Sequence, residues 1–504
     1  MSVLEARGIG VAFAAALPVF EGATFVLEPG FHGLVGANGA GKTTLLKVLG
    51  GLLAPSEGSI AIRPKGAVVV VCPQEVDAVN EDIEALAAST DGLASELKGR
   101  LALVGDDLVR WPTMSPGERK RWQIGAALAR EPDVLLLDEP TNHLDVEARR
   151  RLLGALGRFK GVGVIVSHDR EVLERLPRAI LRVHARKVML HPGGYSAAKA
   201  SWEQDRAEQV EAHARARAEV RAVERRLDAV RRTQEATSRQ TKASSRMKGV
   251  RDHDARSMGA KVVAGWADAR AGRTVATVRE ALERATSSVP TIERDRTLGG
   301  KVFASYERAP NPILFHLDAP VVKAGDHPLL HDVRLSIGRE ERLRIAGPNG
   351  AGKTTLLEAL VRHGSSHGSS RVLYLPQELA PESVEALFDT LHRCTDEERG
   401  RALSIFASLG SDPERLLGRS HRGLSPGEAR KLALASGLGM HVWALVLDEP
   451  TNHLDLPTIE RLESALVSFP GCLVVVTHDD AFAQAVTTDV LNVAEFRHGD
   501  DVGV

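Results

Sequence analysis

The residues best suited to chemistry form a glycine-rich loop that occurs twice. Residues 36–43 and 347–354 both fit the pattern G-x-x-x-x-G-K-[ST], after an apolar run and before a helical pattern. The glycines let backbone N–H groups surround phosphates, and the lysine reaches the β- and γ-phosphates. The predicted nucleotide contacts are Gly36, Asn38, Gly39, Gly41, Lys42, Thr43 and Thr44, and in the second copy Gly347, Asn349, Gly350, Gly352, Lys353, Thr354 and Thr355.

A pair of carboxylates ends a second repeated stretch. "VLLLDE" places Asp138 and Glu139 after apolar residues, and "ALVLDE" does the same with Asp448 and Glu449. Adjacent strand residues point to opposite sides, so the two acids can do separate jobs. The aspartate can bind Mg²⁺, and the glutamate can orient and deprotonate a water molecule. A lone Asp-Glu pair is commonly just a solvated strand end, but beside a phosphate-binding loop it predicts hydrolysis.

Glutamine and histidine also recur at matched positions. Gln74 and Gln377 each follow a short apolar run, and His168 and His478 each end one. Alone, such residues are ordinary exposed or structural side chains. Their repetition favours a metal or water contact for the glutamines and a γ-phosphate contact for the histidines. The predicted metal ligands are Thr43, Gln74, Asp138, Thr354, Gln377 and Asp448, and the predicted catalytic residues are Glu139, Glu449, His168 and His478.

The tetrapeptide "SPGE" is the most specific of the short motifs. At 115–118 it predicts a helix start with serine as N-cap, proline in the first turn and glutamate completing a capping box. It recurs at 425–428. A helix N-terminus also attracts anions. The predicted nucleotide contacts are therefore Ser115, Gly117 and Glu118, together with Ser425, Gly427 and Glu428.

The spacing of the copies indicates a duplicated domain. Asp138 and Asp448 are 310 residues apart, as are the two histidines, and Lys42 and Lys353 are 311 apart. Short β-branched runs such as "AVVVVC", "VLLLD" and "VGVIVS" predict buried parallel strands. Helical patterns at 118–130 and 147–158 lie between such runs. Each copy is therefore predicted to be α/β, with its ligand beyond the carboxyl ends of the strands.

Composition and charge limit the class of protein. The 504 residues are 43% hydrophobic and 26% charged, with a formal net charge of −1, which is ordinary for a soluble globular protein. No apolar run reaches the roughly 18 residues of a spanning helix, and no signal peptide is recognisable. Cys72, Cys394 and Cys472 form no C-x-x-C pair. We therefore predict a cytoplasmic protein with reduced thiols and no membrane segment.

The segment 194–300 between the copies predicts a helical hairpin. Its first part lacks Pro and Gly and predicts a helix of about 38 residues, or about 57 Å. Apolar residues recur at a spacing of three and four, which predicts an antiparallel pair. A merely solvated connector is the alternative. The predicted seam consists of Val220, Val223, Leu227 and Val230, with Val275, Val278, Leu282 and Ala285.

The predicted tip of the hairpin is basic. Between 239 and 261, seven basic residues outnumber Asp252 and Asp254 by five charges. A charge run is usually a solvated face, but Arg and Lys beside Ser and Gly also suit an RNA backbone. The predicted RNA contacts are Arg239, Lys242, Arg246, Lys248, Arg251, Arg256 and Lys261.

Together these motifs resemble the ATP-binding cassette ATPases, because all of them stand in the family's order, twice. The resemblance implies two α/β P-loop cassettes in tandem, joined by a long antiparallel helical hairpin, with ATP and Mg²⁺ as cofactors. The implied domains are 1–193, 194–300 and 301–504. In this superfamily two cassettes dock head to tail, so each lysine and glutamate would share an ATP with the other cassette's serine-glycine signature.

The sequence departs from the superfamily pattern in two places. The signature usually reads S-G-G and here reads S-P-G, which deletes an N–H that could face the γ-phosphate. An aromatic residue ahead of the first loop often stacks on adenine. Residues 13–17 offer only Phe13, and residues 321–325 offer none, so the base selectivity is left open.

Two cassettes on one chain, "EPTNHLD" twice and no membrane segment resemble family F, whose members bind ribosomes. In that family the hairpin enters the tRNA exit-site side of the ribosome and approaches the peptidyl-tRNA and the catalytic centre. A long basic tip resembles the antibiotic-resistance members. The resemblance implies a monomer that binds the 70S ribosome, not DNA, and protects translation from antibiotics or relieves stalling.

Three other functions are compatible with some of these motifs. A general translation factor would have the same cycle without a drug role. The ATPase subunit of an antibiotic efflux transporter, with a separate membrane subunit, would leave the basic hairpin unexplained. A DNA-repair ATPase would be expected to carry zinc-binding cysteine pairs or a far longer coiled coil. The sequence names neither the drug nor the faster of the two sites.

Overall fold

The computed structural model describes residues 2–14, 17–142, 144–246, 255–289, 306–348, 350–364, 371–417, 424–440 and 442–497. It divides into two compact units. One unit comprises Met1–Ala198 with Arg296–Val504 and holds both repeats, and the other is Lys199–Asp295. We call residues 1–193 the first cassette and residues 301–504 the second cassette. These boundaries remain predictions, because residues 290–305 lie outside the described residues.

The first cassette alternates strands and helices as its sequence predicts. Its elements are β1 (Val3–Ala14), β2 (Leu17–Leu27), β3 (Gly30–Gly36), α1 (Lys42–Leu49), β4 (Glu57–Arg63), β5 (Val69–Cys72), α2 (Glu81–Ala88), α3 (Gly92–Leu101), a 3₁₀ helix (Gly105–Thr113), α4 (Pro116–Ala129), β6 (Val134–Asp138), α5 (Val146–Leu156), β7 (Val162–Val166), α6 (Arg170–Arg175), β8 (Pro177–His184) and β9 (Lys187–Pro192). The predicted helices at 118–130 and 147–158 are confirmed as α4 and α5.

The linker and the second cassette follow. Their elements are α7 (Tyr195–Arg246), α8 (Ala255–Ser287), β10 (Ile313–Ala324), β11 (His327–Gly338), β12 (Arg342–Ala346), α9 (Lys353–His363), β13 (Val372–Leu375), α10 (Pro381–Arg393), α11 (Asp396–Ser408), α12 (Pro413–Leu417), α13 (Pro426–Gly439), β14 (Ala444–Asp448), α14 (Leu456–Val467), β15 (Cys472–Val476), α15 (Asp480–Val486), β16 (Asp489–Asn492) and a 3₁₀ helix (Val493–Phe496).

The two main sheets have the same strand order. In the first cassette it is β5-β6-β7-β3-β8, with β9 added antiparallel, and in the second it is β13-β14-β15-β12-β16. All other neighbours in these sheets run parallel. Every residue of β6, β7, β14 and β15 is buried, as expected for central parallel strands covered on both faces. The matched orders establish the duplication that the motif spacing predicted.

The carboxyl ends of these parallel strands position the chemistry. β3 and β12 lead into the phosphate-binding loops, β6 and β14 end at the aspartates, and β7 and β15 precede the histidines. Because these three strands are neighbours in each sheet, their ends meet at one edge. Residues far apart in the sequence therefore converge on one site in each cassette.

The linker contains two long helices, and α7 is longer than predicted. Its 52 residues include neither Pro nor Gly, so nothing in the chain stops the helix before Arg246. At 1.5 Å per residue it spans about 78 Å rather than about 57 Å. The predicted seam is confirmed, because Leu227, Val278 and Ala285 are at most 8% exposed and the other five seam residues are half-buried.

The basic tip receives no structural description. Lys248 and Arg251 lie outside the described residues, and so do the side chains of Arg239, Lys242, Arg246, Arg256 and Lys261. Contact between this tip and RNA therefore stays a prediction.

Candidate nucleotide-binding site

Each glycine-rich loop turns tightly into the helix that follows it. Gly41 and Gly352 have φ of 103° and 96°, a left-handed conformation that favours glycine, and they cap α1 and α9. Lys42 Nζ donates to Gly36 O at 2.9 Å and to Ala37 O at 3.2 Å, so its ammonium lies over the loop. Lys353 makes the same pair of bonds to Gly347 O and Pro348 O. Both ammonium groups are held where phosphate oxygens would bind.

A threonine and an aspartate meet at the start of each of these helices. Thr43 Oγ1 donates to Asp138 Oδ2 at 2.9 Å, and Thr354 Oγ1 donates to Asp448 Oδ2 at 2.6 Å. Hydroxyl and carboxylate oxygens suit Mg²⁺, which uses one or two protein ligands beside water and phosphate. Across the described residues, no group of three or more His, Cys, Asp or Glu side chains could hold a metal. The oxygen pairs therefore fit Mg²⁺ that arrives with a nucleotide.

The glutamates lie next to the histidines, on the other side of the strand end. Glu139 Oε1 is 3.1 Å from His168 Nε2, and Glu449 Oε1 is 3.5 Å from His478 Nε2. Both glutamates are at least 94% buried. Beyond its contacts with His168, neither side-chain oxygen of Glu139 has a well-formed hydrogen bond within the described chain. Buried polar atoms normally have partners, so these oxygens indicate a site for water.

Burial changes the protonation of these pairs. It raises the pKa of the Glu139 carboxyl well above its usual range and raises the pKa of Glu449 to about 7. It lowers the pKa of His168 to about 3 and that of His478 to about 4. The histidines are therefore neutral near pH 7, and the glutamates are unusually basic carboxylates. That combination suits a base that takes a proton from water.

The two SPGE motifs start helices as the sequence predicts. Ser115 Oγ accepts a bond from Glu118 N at 3.2 Å, and Ser115 N donates to Glu118 Oε2 at 2.8 Å. Ser425 and Glu428 make the same reciprocal pair in front of α13. Both capping boxes are thus confirmed, and the glycine that follows each proline is buried.

The loop of the first cassette contacts the second cassette. Asn38 N donates to Asp455 Oδ2 at 2.7 Å, and Asn38 Nδ2 donates to His453 O at 3.0 Å. A Cβ added to Gly427 would lie 3.7 Å from Asn38 Nδ2. The first phosphate-binding loop therefore lies against the starts of α13 and α14. Asn349, the corresponding residue in the second loop, lies outside the described residues.

One cavity of about 1520 Å³ brings most of the predicted residues together. Its lining includes the lysines, the threonines, the aspartates, the glutamates, the glutamines and the histidines of both cassettes, with Ser425, Gly427 and Glu428. From the first signature only Pro116 lines it. Phe13 also lines the cavity, and its side chain is 72% exposed. Its phenyl ring is therefore placed to contact the nucleobase of a nucleotide. Leu329 of the second cassette adds an aliphatic side chain to the lining.

Sequence reasoning missed a buried cation in each signature helix. Lys120 Nζ donates to the carbonyl oxygens of Pro73, Gln74 and Asp138 at 2.5, 3.1 and 3.1 Å. Arg430 donates in the same way to Pro376 O, Gln377 O and Glu449 O. Each cation ties the glutamine loop to the end of the aspartate strand. The sequence did carry a signal for these two cations, because Lys120 and Arg430 are separated by the same 310-residue offset as the motifs.

Comparison with known proteins agrees with this geometry. The sequence profile described as "ABC transporter" matches residues 20–142 and 330–452. The tylosin resistance ATP-binding protein TlrC of Streptomyces fradiae is 31% identical over 545 aligned residues, which cover 95% of each chain. The chain belongs to family F of the ATP-binding cassette proteins. The domain predicted from the motifs is thus confirmed in both halves.

Other members of family F align over nearly the whole chain. The ribosome protection protein VmlR of Bacillus subtilis is 27% identical, covering 92% of this chain and 81% of its own. The energy-dependent translational throttle protein EttA of Escherichia coli K12 is 29% identical, covering 91% and 86%. A solved structure of the RNase-L Inhibitor shares the fold, with a TM-score of 0.57, 20% identity and coverage of 96% and 87%. In the part of the chain that the structure describes, none of the helices has the length and apolar character needed to span a membrane.

Proposed function

We propose that the chain hydrolyses ATP to ADP and phosphate at two composite sites. The first ATP site consists of Lys42, Glu139 and His168 with the signature of the second cassette. The second ATP site consists of Lys353, Glu449 and His478 with the signature of the first. The support is the paired geometry of these residues in both cassettes and the contact of Asn38 with the second cassette.

The reaction follows from the groups present. Water attacks the γ-phosphorus, the bond to the β–γ bridging oxygen breaks, and ADP leaves. The glutamate accepts the proton that the water loses, and the neutral histidine beside it holds the water and the γ-phosphate. Mg²⁺, held by the threonine and the aspartate, would neutralise charge on the phosphates. Positioning and charge neutralisation thus supply most of the catalysis, as in other phosphoryl transfers.

ATP binding and hydrolysis at these sites would close and open the two cassettes of one chain. ATP fits between the loop of one cassette and the signature of the other, so binding draws the cassettes together and hydrolysis releases them. Because the chain carries both cassettes, one copy is sufficient. We propose a monomer on this basis, and we propose a cytoplasmic location because relatives that align over nearly the whole chain are named for ribosome protection and translation.

The proposed partner is the 70S ribosome, and the proposed role is protection of translation from antibiotics. The observation that carries this is the alignment over more than nine tenths of the chain with relatives named for tylosin resistance and ribosome protection. The two long helices of the linker support this role, because a helix of 52 residues is long enough to extend well beyond the cassettes and contact ribosomal RNA. The basic tip supplies the charge for that contact.

A cell-free translation assay tests this role. Ribosomes inhibited by tylosin, and by a panel of other ribosome-targeting drugs, are supplied with the purified chain and ATP. Protection predicts restored synthesis with the unaltered chain and none with the Glu139→Gln/Glu449→Gln variant. No restoration with any drug would overturn the protective role.

Two alternative functions give different results in the same assay. The similarity to EttA favours a general translation factor, which would change synthesis in drug-free reactions. An efflux subunit would protect intact cells only, and it would purify with a membrane protein.

A further inference from the structure

Arg149 of the first cassette contacts His478 of the second cassette. It lies on α5, and its side chain is only 9% exposed. Its Nε is 3.0 Å from Oδ2 of Asp169, which is the residue that follows His168. Its Nη2 donates to His478 O at 3.2 Å. One guanidinium therefore joins the loop after one histidine to the backbone of the other histidine.

The second cassette has no cation at the position equivalent to Arg149. The 310-residue offset places Ile459 of α14 at the position of Arg149. Ile459 is 2% exposed and belongs to the apolar core of its own cassette. An aliphatic side chain has no donor for a carbonyl, so the first ATP site lacks this contact. The duplication therefore leaves the two sites chemically different.

The contact bears on the second ATP site through His478. The backbone N–H of His478 donates to Glu449 Oε2 at 3.3 Å, while its carbonyl accepts from Arg149. The same peptide segment thus holds the proposed base on one side and the guanidinium on the other. Arginine can serve Asp169 and His478 together, because its planar fork carries several donors.

We propose that Arg149 is a trans-acting positioning residue for the second ATP site and that the two sites are therefore not equivalent. This rests on the ATPase activity proposed above. When the cassettes separate, Arg149 keeps Asp169 and loses His478. The second site then needs Arg149 of the first cassette in addition to its signature, and the first site needs no corresponding cation from the position of Ile459.

The test isolates each site with a glutamate variant. Glu139→Gln leaves the second site to hydrolyse ATP, and Glu449→Gln leaves the first. Arg149→Ala is added to each parent, and kcat and KM are measured by phosphate release. We expect kcat to fall about tenfold in the Glu139→Gln parent, equal to about 1.4 kcal/mol, with KM nearly unchanged. In the Glu449→Gln parent we expect less than a twofold change.

A matched control lies one residue along the same helix. Arg150 pairs with Glu147 at 3.1 Å, and its side chain is 75% exposed. Arg150→Ala should leave kcat unchanged in both parents. Arg149→Lys, which keeps the charge but not the fork, should give an intermediate kcat in the Glu139→Gln parent and guards against a misfolded alanine variant.

The outcomes separate the two proposals. An equal fall of kcat in both parents, or no fall in either, overturns the role of Arg149 while ATPase activity stands. Absence of phosphate release from the unaltered chain with Mg²⁺ and ATP overturns the proposed ATPase function itself.

Discussion

Glu139 and Glu449 both adopt a left-handed backbone, with φ of 46° and 47°. Residues other than glycine rarely do so, and such strain is concentrated at functional sites. In both cassettes this geometry turns the glutamate away from its aspartate neighbour and towards the histidine. The aspartate contacts the threonine, so metal binding and proton transfer are separated at adjacent residues.

The double variant Glu139→Gln/Glu449→Gln should bind ATP without hydrolysing it. A glutamine keeps the shape but cannot accept the proton of water, and general-base catalysis contributes about 10²–10⁴-fold. Phosphate release should fall by at least about 100-fold, while equilibrium dialysis shows ATP still bound. Glu147→Gln, an exposed acid on α5, is the control. Full activity in the double variant would mean that another group is the base.

Lys120 should stabilise the first cassette. Lys120→Met fills the same space but leaves three carbonyl groups without a donor, of which that of Asp138 is buried. An unsatisfied buried group costs about 1–3 kcal/mol, so the apparent unfolding midpoint should fall by about 2 °C or more. Calorimetry measures it, with the exposed Lys160→Met as control. An unchanged midpoint would show that water replaces the ammonium.

At the scale of elements, the strand ends and helix starts were predictable and the contacts between elements were not. The phosphate-binding loops, capping boxes and hairpin seam follow from patterns a few residues long. Lys120 bonds to residues 46 and 47 positions away, and Arg149 to one 329 positions away. Contacts between such distant residues depend on the order of the strands in the sheet. That order cannot be predicted from local sequence periodicity. The length of α7 was underestimated because its apolar pattern ends before its helix does.

The start of α13 should tolerate no side chain at Gly427. A Cβ there would lie 2.6 Å from His453 O, a backbone atom that cannot move aside freely. Gly427→Ala in the Glu449→Gln parent, where only the first site hydrolyses, should lower kcat at least about tenfold, or 1.4 kcal/mol. Gly154→Ala on α5 is the control, because its Cβ would meet open space. Equal activity of the two variants would argue against a signature contact at this site.

The hairpin should act through the charge of its tip. Arg246→Ala/Lys248→Ala/Arg251→Ala should weaken ribosome binding and leave ribosome-free ATPase activity unchanged. Each lost phosphate contact reduces the salt slope of binding by about 0.7–0.9, so three losses flatten it by roughly 2–3. The matched control replaces with alanine three exposed arginines of α7 that lie outside the tip, Arg221, Arg225 and Arg232. If ribosome-free ATPase activity fell with the tip variant, the tip would be structural.

For the whole molecule, duplication explains both the similarity and the difference of the two halves. The sheets, loops and capping boxes repeat, so the chain can present two complete sites from one copy. Arg149 and Ile459 differ at matched positions, and among the described residues that line the cavity the first cassette contributes Phe13 whereas the second contributes no Phe, Tyr or Trp. Two sites built from repeated parts thus have different neighbours.

The most direct test of this account is sedimentation of the Glu139→Gln/Glu449→Gln variant with 70S ribosomes, with and without ATP, at two salt concentrations. We expect the variant to pellet with ribosomes only when ATP is present, and to pellet less at the higher salt concentration. Absence from the ribosome pellet at low salt, with ATP bound to the variant, would contradict the claim that the closed chain is a ribosome ligand.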